Sequence, residues 1–139
     1  MTRLSLDRPH ALRGKKTLEW FFANRKWVRS ARLTVVECGW ALRPLPEDEA
    51  AIRFLVLASK RSYKRAHDRN RIKRWLRAAV TETAEFVSLE SSLAHRSLQL
   101  IIMLRISKPL LSVKWQDVLI DMRAIAEHLE TRTAKEVAL

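Results

Sequence analysis

Between Lys60 and Arg77 the chain reads KRSYKRAHDRNRIKRWLR: nine of eighteen side chains are basic, Asp68 is the one acid, and the local net charge is +8. The basic residues are Lys60, Arg61, Lys64, Arg65, Arg69, Arg71, Lys73, Arg74 and Arg77. The chemistry open to such a set is phosphate binding. A guanidinium fork meets two phosphate oxygens at once, and the amide of Asn70 can reach a ribose hydroxyl or a base edge. At about 100° per residue, a helix beginning near Asp68 puts Arg69, Asn70, Arg71, Lys73, Arg74 and Arg77 on one arc. Ile72, Trp75, Leu76, Ala79 and Val80 fall on the opposite arc. An ordinary solvated helix face mixes its signs, and this one does not. Like charges one turn apart repel by about 0.2–0.5 kcal/mol per pair, so the face is expected to meet a polyanion. Removing its charges is expected to weaken that association and leave folding intact.

Other chemistry-bearing residues give less. His10, His67, His95 and His128 lack metal-ligand spacing, and the single Cys38 excludes both an intrachain disulfide and paired-cysteine zinc motifs. Glu47, Asp48 and Glu49 carry the carboxylates a two-metal nuclease would need, but adjacent acids in a proline-bounded loop are more simply solvated. Trp75 and Trp115 read as core. Trp20 and Trp27 lie near the basic N-terminal region, where a base could stack on them, although core is again the simpler reading.

The elements that must position the basic segment follow from hydrophobic period. The chain has 139 residues, 47% of them hydrophobic and 30% charged, with a net charge of +12; this is the composition of one folded domain with a polyanionic partner. Apolar runs such as Phe54 to Ala58 and Leu100 to Leu104 are too short to cross a bilayer, and no signal peptide opens the chain. A cytoplasmic location with no membrane contact is expected. Residues 1–16 read as a basic, flexible arm, 17–130 as a single domain and 131–139 as a tail. Thr17 is placed to cap a helix to Asn24 that carries Leu18, Phe21 and Phe22. Strands are expected at Leu33 to Glu37 and Ile52 to Ala58, with a further short one near Trp40 to Arg43. A helix from Asp68 to about Glu85, a strand buried on both faces over Leu98 to Arg105, and a final helix capped by Ser112 complete an αβββαβα order. The last helix keeps Trp115, Val118, Met122, Ile125 and Leu129 on its stripe and Asp121 off it. The expected class is α+β, a sandwich with a central, mostly antiparallel sheet.

The segment also contains R-N-R-x-K-R-x-x-R, at Arg69, Asn70, Arg71, Lys73, Arg74 and Arg77. With an aromatic helix before it, a strand entering a basic loop, and a later strand ending in Arg105, the chain resembles the protein subunit of bacterial ribonuclease P over Leu12 to Leu129. The resemblance implies the fold of the second domain of ribosomal protein S5, with a left-handed βαβ crossover. It implies an accessory subunit without catalytic groups of its own, serving a catalytic RNA whose bound Mg²⁺ supports removal of the 5′ leader from precursor tRNA. Lys60 to Arg77 would contact the catalytic RNA, and Leu18, Phe22, Trp27 and Val36 would line a leader cleft between the first helix and the sheet. Leu18 and Val36 stand where the family commonly has Phe and Tyr, and Arg25 where it has a turn glycine. No obligate protein partner is implied. A ribosomal or other structural RNA-binding protein, and a DNA reader using the basic helix, remain alternatives at this level.

Overall fold

The computed structural model describes residues 10–30 and 32–136. Four strands form one mixed sheet in the order β1-β2-β4-β3: β1 is Lys26–Trp27, β2 Glu37–Pro44, β3 Ile52–Leu57 and β4 Leu98–Arg105. β2 runs antiparallel to β1 and to β4, with Glu37 opposite Arg105 and Pro44 opposite Leu98, while β3 lies parallel to β4 with Leu57 opposite Arg105. The central position of β4 explains its unbroken apolar run, because Leu98 to Leu104 is buried on both faces. The two-residue period of the strands separates two cores. Cys38, Trp40, Ile52, Phe54, Leu100, Ile102 and Leu104 face the larger one, whereas Ala41, Ile101 and Met103 join Phe21 and Leu12 on the other side of the sheet.

Helix α1 (Lys15–Asn24) covers that smaller core, and α2 (Ala66–Glu82), α3 (Glu85–His95) and α4 (Trp115–Thr133) cover the larger. α1 starts three residues earlier than a cap at Thr17 suggests: Gly14, at φ 96°, turns the chain into the helix, and its carbonyl accepts the Leu18 amide at 3.0 Å. That backbone conformation favours glycine. Arg25 ends the helix in extended conformation, φ −65° and ψ 144°, so no turn glycine is required there. α2 begins at Ala66 with Asp68 inside its first turn, where a carboxylate favours the positive end of the helix dipole. Ser112 lies in a short 3-10 turn, Leu110–Ser112, and α4 begins only at Trp115.

Besides the two-residue β1, which falls where no strand is expected, two elements differ from expectation. The strand expected over Leu33 to Glu37 is a loop as far as Val36, and β2 instead runs from Glu37 to Pro44, through and beyond the short strand expected near Trp40 to Arg43. The amides of Thr34, Val35 and Val36 bond to the Asp121 carboxylate and not to a neighbouring strand. The second difference is α3, which makes the order αβββααβα. Thr83 breaks the long helix, its hydroxyl donating to the Ala79 carbonyl at 2.7 Å, and a new helix buries Phe86, Leu89 and Leu93. Residues 1–9 of the expected arm lie outside the described residues. Its next residues lie along β3: Ala11 bridges Phe54, and the Leu12 amide donates to the Phe54 carbonyl at 2.8 Å. α4 carries the chain three residues into the expected tail, to Thr133.

Candidate nucleic-acid interface

α2 packs Ile72, Leu76, Ala79 and Val80 into the core at full burial, which leaves Asn70, Arg71, Arg74 and Arg77 exposed on the far side. Lys60, Arg61, Lys64 and Arg65, in the loop between β3 and α2, are exposed as well. Arg69 and Lys73 are half-buried. Arg69 donates from Nη1 to the carbonyls of Tyr63 and Lys64, each at 2.9 Å, so this arginine braces the loop that carries the other cations. The Tyr63 hydroxyl in turn donates to the Lys108 carbonyl at 2.5 Å, and burial raises its pKa. The Arg71 guanidinium lies 5.1 Å from the centroid of Trp75, whose ring meets Trp115 edge-on. Trp75 and Trp115 are therefore packing residues, as their helical positions suggest.

Of the four residues expected to line a leader cleft, Trp27 and Val36 border one cavity, and Leu18 and Phe22 lie outside it. Leu18 and Trp27 pack against the small core under α1. Phe22, 44% exposed, stands at the open edge of α1. Val36, 2% exposed, is part of the larger core on the opposite side of the sheet. Arg25 connects what remains: its guanidinium lies 5.0 Å from the Phe22 ring and 4.7 Å from Trp27, and Arg105 reaches Trp27 at 4.8 Å. Gly39 keeps this passage open, since a Cβ there would come within 3.2 Å of Met103 and 3.6 Å of Arg25.

A cavity of about 720 Å³ opens beside Trp27, between the loop preceding β2 and the end of β4, with Arg29, Glu37, Arg105, Ser107 and Lys108 in its wall. It lies at the end of the sheet where parallel β3 and β4 both finish. β3 runs from there into the basic loop and β4 into Lys108, so the cavity, the loop and the start of α2 occupy one end of the molecule.

Sequence patterning missed three supporting residues. Asp121 is fully buried and takes amide donors from Thr34, Val35 and Val36 at 2.7–3.1 Å, which anchors the cavity's outer loop to α4. Glu49, expected to be merely solvated, bonds Arg53 at 2.6 Å and Gln99 at 3.2 Å. Burial opposes its ionisation, but the Gln99 and Arg53 hydrogen bonds and the charges of Arg53 and Arg43 outweigh it and hold its pKa below the ordinary value. Glu37, opposite Arg105 in the sheet register, escaped notice because its partner is 68 residues away. Burial pushes the Cys38 thiol up, consistent with an inert core side chain.

The architecture defines an α+β domain that carries a basic helix of one sign at the end of its parallel strand pair. The ribonuclease P family profile matches residues 6–130, and the chain belongs to that family, as a protein component acting in tRNA processing within an endoribonuclease complex. No curated protein matches the chain significantly.

Proposed function

We propose that this chain is the accessory protein of an RNA-catalysed endoribonuclease, binding the catalytic RNA through α2 and its preceding loop and the 5′ leader of precursor tRNA beside α1. The observation that carries this reading is the exposed face of Asn70, Arg71, Arg74 and Arg77, continued by Lys60, Arg61, Lys64 and Arg65 with no exposed acid among them. Neutralising phosphates with these cations releases condensed counterions, so binding is driven by that release and weakens as salt rises. The aromatic and guanidinium series of Phe22, Arg25, Trp27 and Arg105 supplies the stacking surfaces that single-stranded bases use.

Phosphodiester hydrolysis belongs to the catalytic RNA and its Mg²⁺. Among the described residues no group of three His, Cys, Asp or Glu side chains is placed to hold a metal ion. What the protein's residues contribute is charge neutralisation between two RNAs and capture of the leader strand. Such a complex works in the cytoplasm, and no helix among the described residues is long and apolar enough to cross a membrane. The test is reconstitution with a candidate catalytic RNA at low Mg²⁺, scoring cleavage of precursor tRNA. The expected result is leader removal by the RNA that rises sharply when the protein is added, with the RNA-free protein inactive. Tight RNA binding without any effect on cleavage would instead indicate a structural RNA-binding protein.

A further inference from the structure

Leu111 is fully exposed, more so than any other large apolar side chain among the described residues. A lone leucine at a surface means little by itself, but this one has a particular setting. The turn Leu110–Ser112 that carries it follows Pro109, whose carbonyl accepts the Ser112 amide at 2.9 Å and the Ser112 hydroxyl at 2.8 Å, and the Val113 amide donates to the Leu110 carbonyl at 3.1 Å. Leu110 packs against the larger core and Val113 is buried in it. The turn is therefore anchored on both sides while Leu111 faces solvent. A side chain held out on a closed turn gives up little backbone freedom when a partner covers it.

The turn also belongs to the basic end of the molecule. The Tyr63 hydroxyl donates to the Lys108 carbonyl at 2.5 Å, and Arg69 donates to the Tyr63 carbonyl, which ties the turn to the loop that carries Lys60, Arg61, Lys64 and Arg65. Lys108 and Lys114, both exposed, bracket Leu111, and no acid lies between them in the chain. These charges select the occupant. A second copy of the chain would bring a further net charge of +12, and a protein partner would need acids placed to face the two lysines. A nucleic acid offers phosphates to the lysines and an apolar base face to the leucine, and the adjoining loop already calls for one.

We propose that Leu111 packs against the exposed face of an unstacked base of the catalytic RNA, with Lys108 and Lys114 on the phosphates beside it. The inference rests on the RNA-binding reading of α2 and its loop, and extends that surface to the turn before α4. The contact made by the leucine is apolar, so the affinity it adds is not screened by salt.

Affinity for the catalytic RNA is measured over a range of salt for wild type, Leu111→Ser and Leu111→Met, with thermal midpoints alongside. Leu111→Ser is expected to bind about tenfold more weakly, the loss of one leucine's contact. Its midpoint is expected to stay at the wild-type value, because the side chain buries nothing in the free protein, and its log-log salt slope to stay unchanged, because no phosphate contact is removed. Leu111→Met, apolar and of similar volume, is expected to restore wild-type affinity. If Leu111→Ser binds as tightly as a wild type whose binding is steeply salt-dependent, the turn touches no RNA and the inference alone is overturned. If wild type shows no salt-dependent binding of the RNA, the reading of α2 fails as well. A loss seen only with precursor tRNA, or self-association of the free wild-type protein that Leu111→Ser abolishes in sedimentation, would give the leucine a different occupant and also overturns the inference.

Discussion

The Asp121 carboxylate is wholly buried and accepts from three consecutive backbone amides and the Thr34 hydroxyl. These donors replace the hydration that the carboxyl oxygens lose on burial. Asp121→Asn keeps the shape but turns an N–H toward amides that need an acceptor. Its expected cost is on the order of 3 kcal/mol, read as a lower urea midpoint at unchanged slope, and a loss below about 0.5 kcal/mol, the range of ordinary surface changes, would show that the amides are satisfied otherwise. Arg69 and Arg74 divide in the same way by what they bond. Arg69 braces the carbonyls of Tyr63 and Lys64, whereas Arg74 is exposed on the helix. Arg69→Ala is expected to lose about 1–3 kcal/mol of stability together with RNA affinity. Arg74→Ala is expected to keep the thermal midpoint and to reduce the log-log salt slope of RNA binding by about 0.7–0.9, one phosphate contact. If both variants leave the midpoint unchanged, the brace is unimportant; if Arg74→Ala leaves the slope unchanged, that residue touches no phosphate.

At the level of elements, legibility followed the range of the contacts. β4, α2 and α4 announce themselves because their burial repeats locally, on two faces of a strand or one stripe of a helix. The basic face of α2 was legible for the same reason, since which residues it exposes is fixed by which ones it buries. Leu33 to Val36 has the composition of a strand, yet its amides are claimed by a carboxylate 85 to 87 residues away, a pairing no local pattern contains. α3 is a different case. The spacing of Phe86, Leu89 and Leu93 is helical, but Ser88, Ser91 and Ser92 dilute it and the break at Thr83 depends on a side-chain bond. The cavity beside Trp27 was beyond sequence patterning altogether. Glu37 and Arg105 meet through the β2–β4 register, and the wall is closed by a loop whose path Asp121 sets.

For the whole molecule, a net charge of +12 on 139 residues opposes compactness, and the acids that offset it locally carry more weight than their number suggests. Glu49 ties the turn between β2 and β3 to Arg53, Arg43 and Gln99, and Glu37 ties the end of β2 to Arg105 and Ser107. Both carboxyls sit below 4.5 in the folded chain. Their contribution to stability is therefore fully present above the unfolded-state pKa and is lost as the pH falls through the lower folded values. His128 adds a gentler limb above this. Burial and the nearby Arg132 lower its pKa from 6.5, so the unfolded chain takes up this proton first and stability is lost as the pH falls through 6.5. Acid also removes negative charge from a molecule already strongly positive, and salt at about 0.1 M screens the resulting repulsion beyond about 10 Å. The thermal midpoint is accordingly expected to slip slightly below pH 6.5 and to fall steeply below pH 4.5, with added salt restoring part of the acid loss. Glu49→Gln, which cannot carry the charge, is expected to have a lower midpoint than wild type at pH 7 and to converge with it in acid, while keeping the His128 limb. Midpoints measured across pH 3–8 at two salt concentrations decide the matter: wild-type and Glu49→Gln curves that stay parallel throughout would show that the Glu49 ion pairs contribute no net stability to this fold.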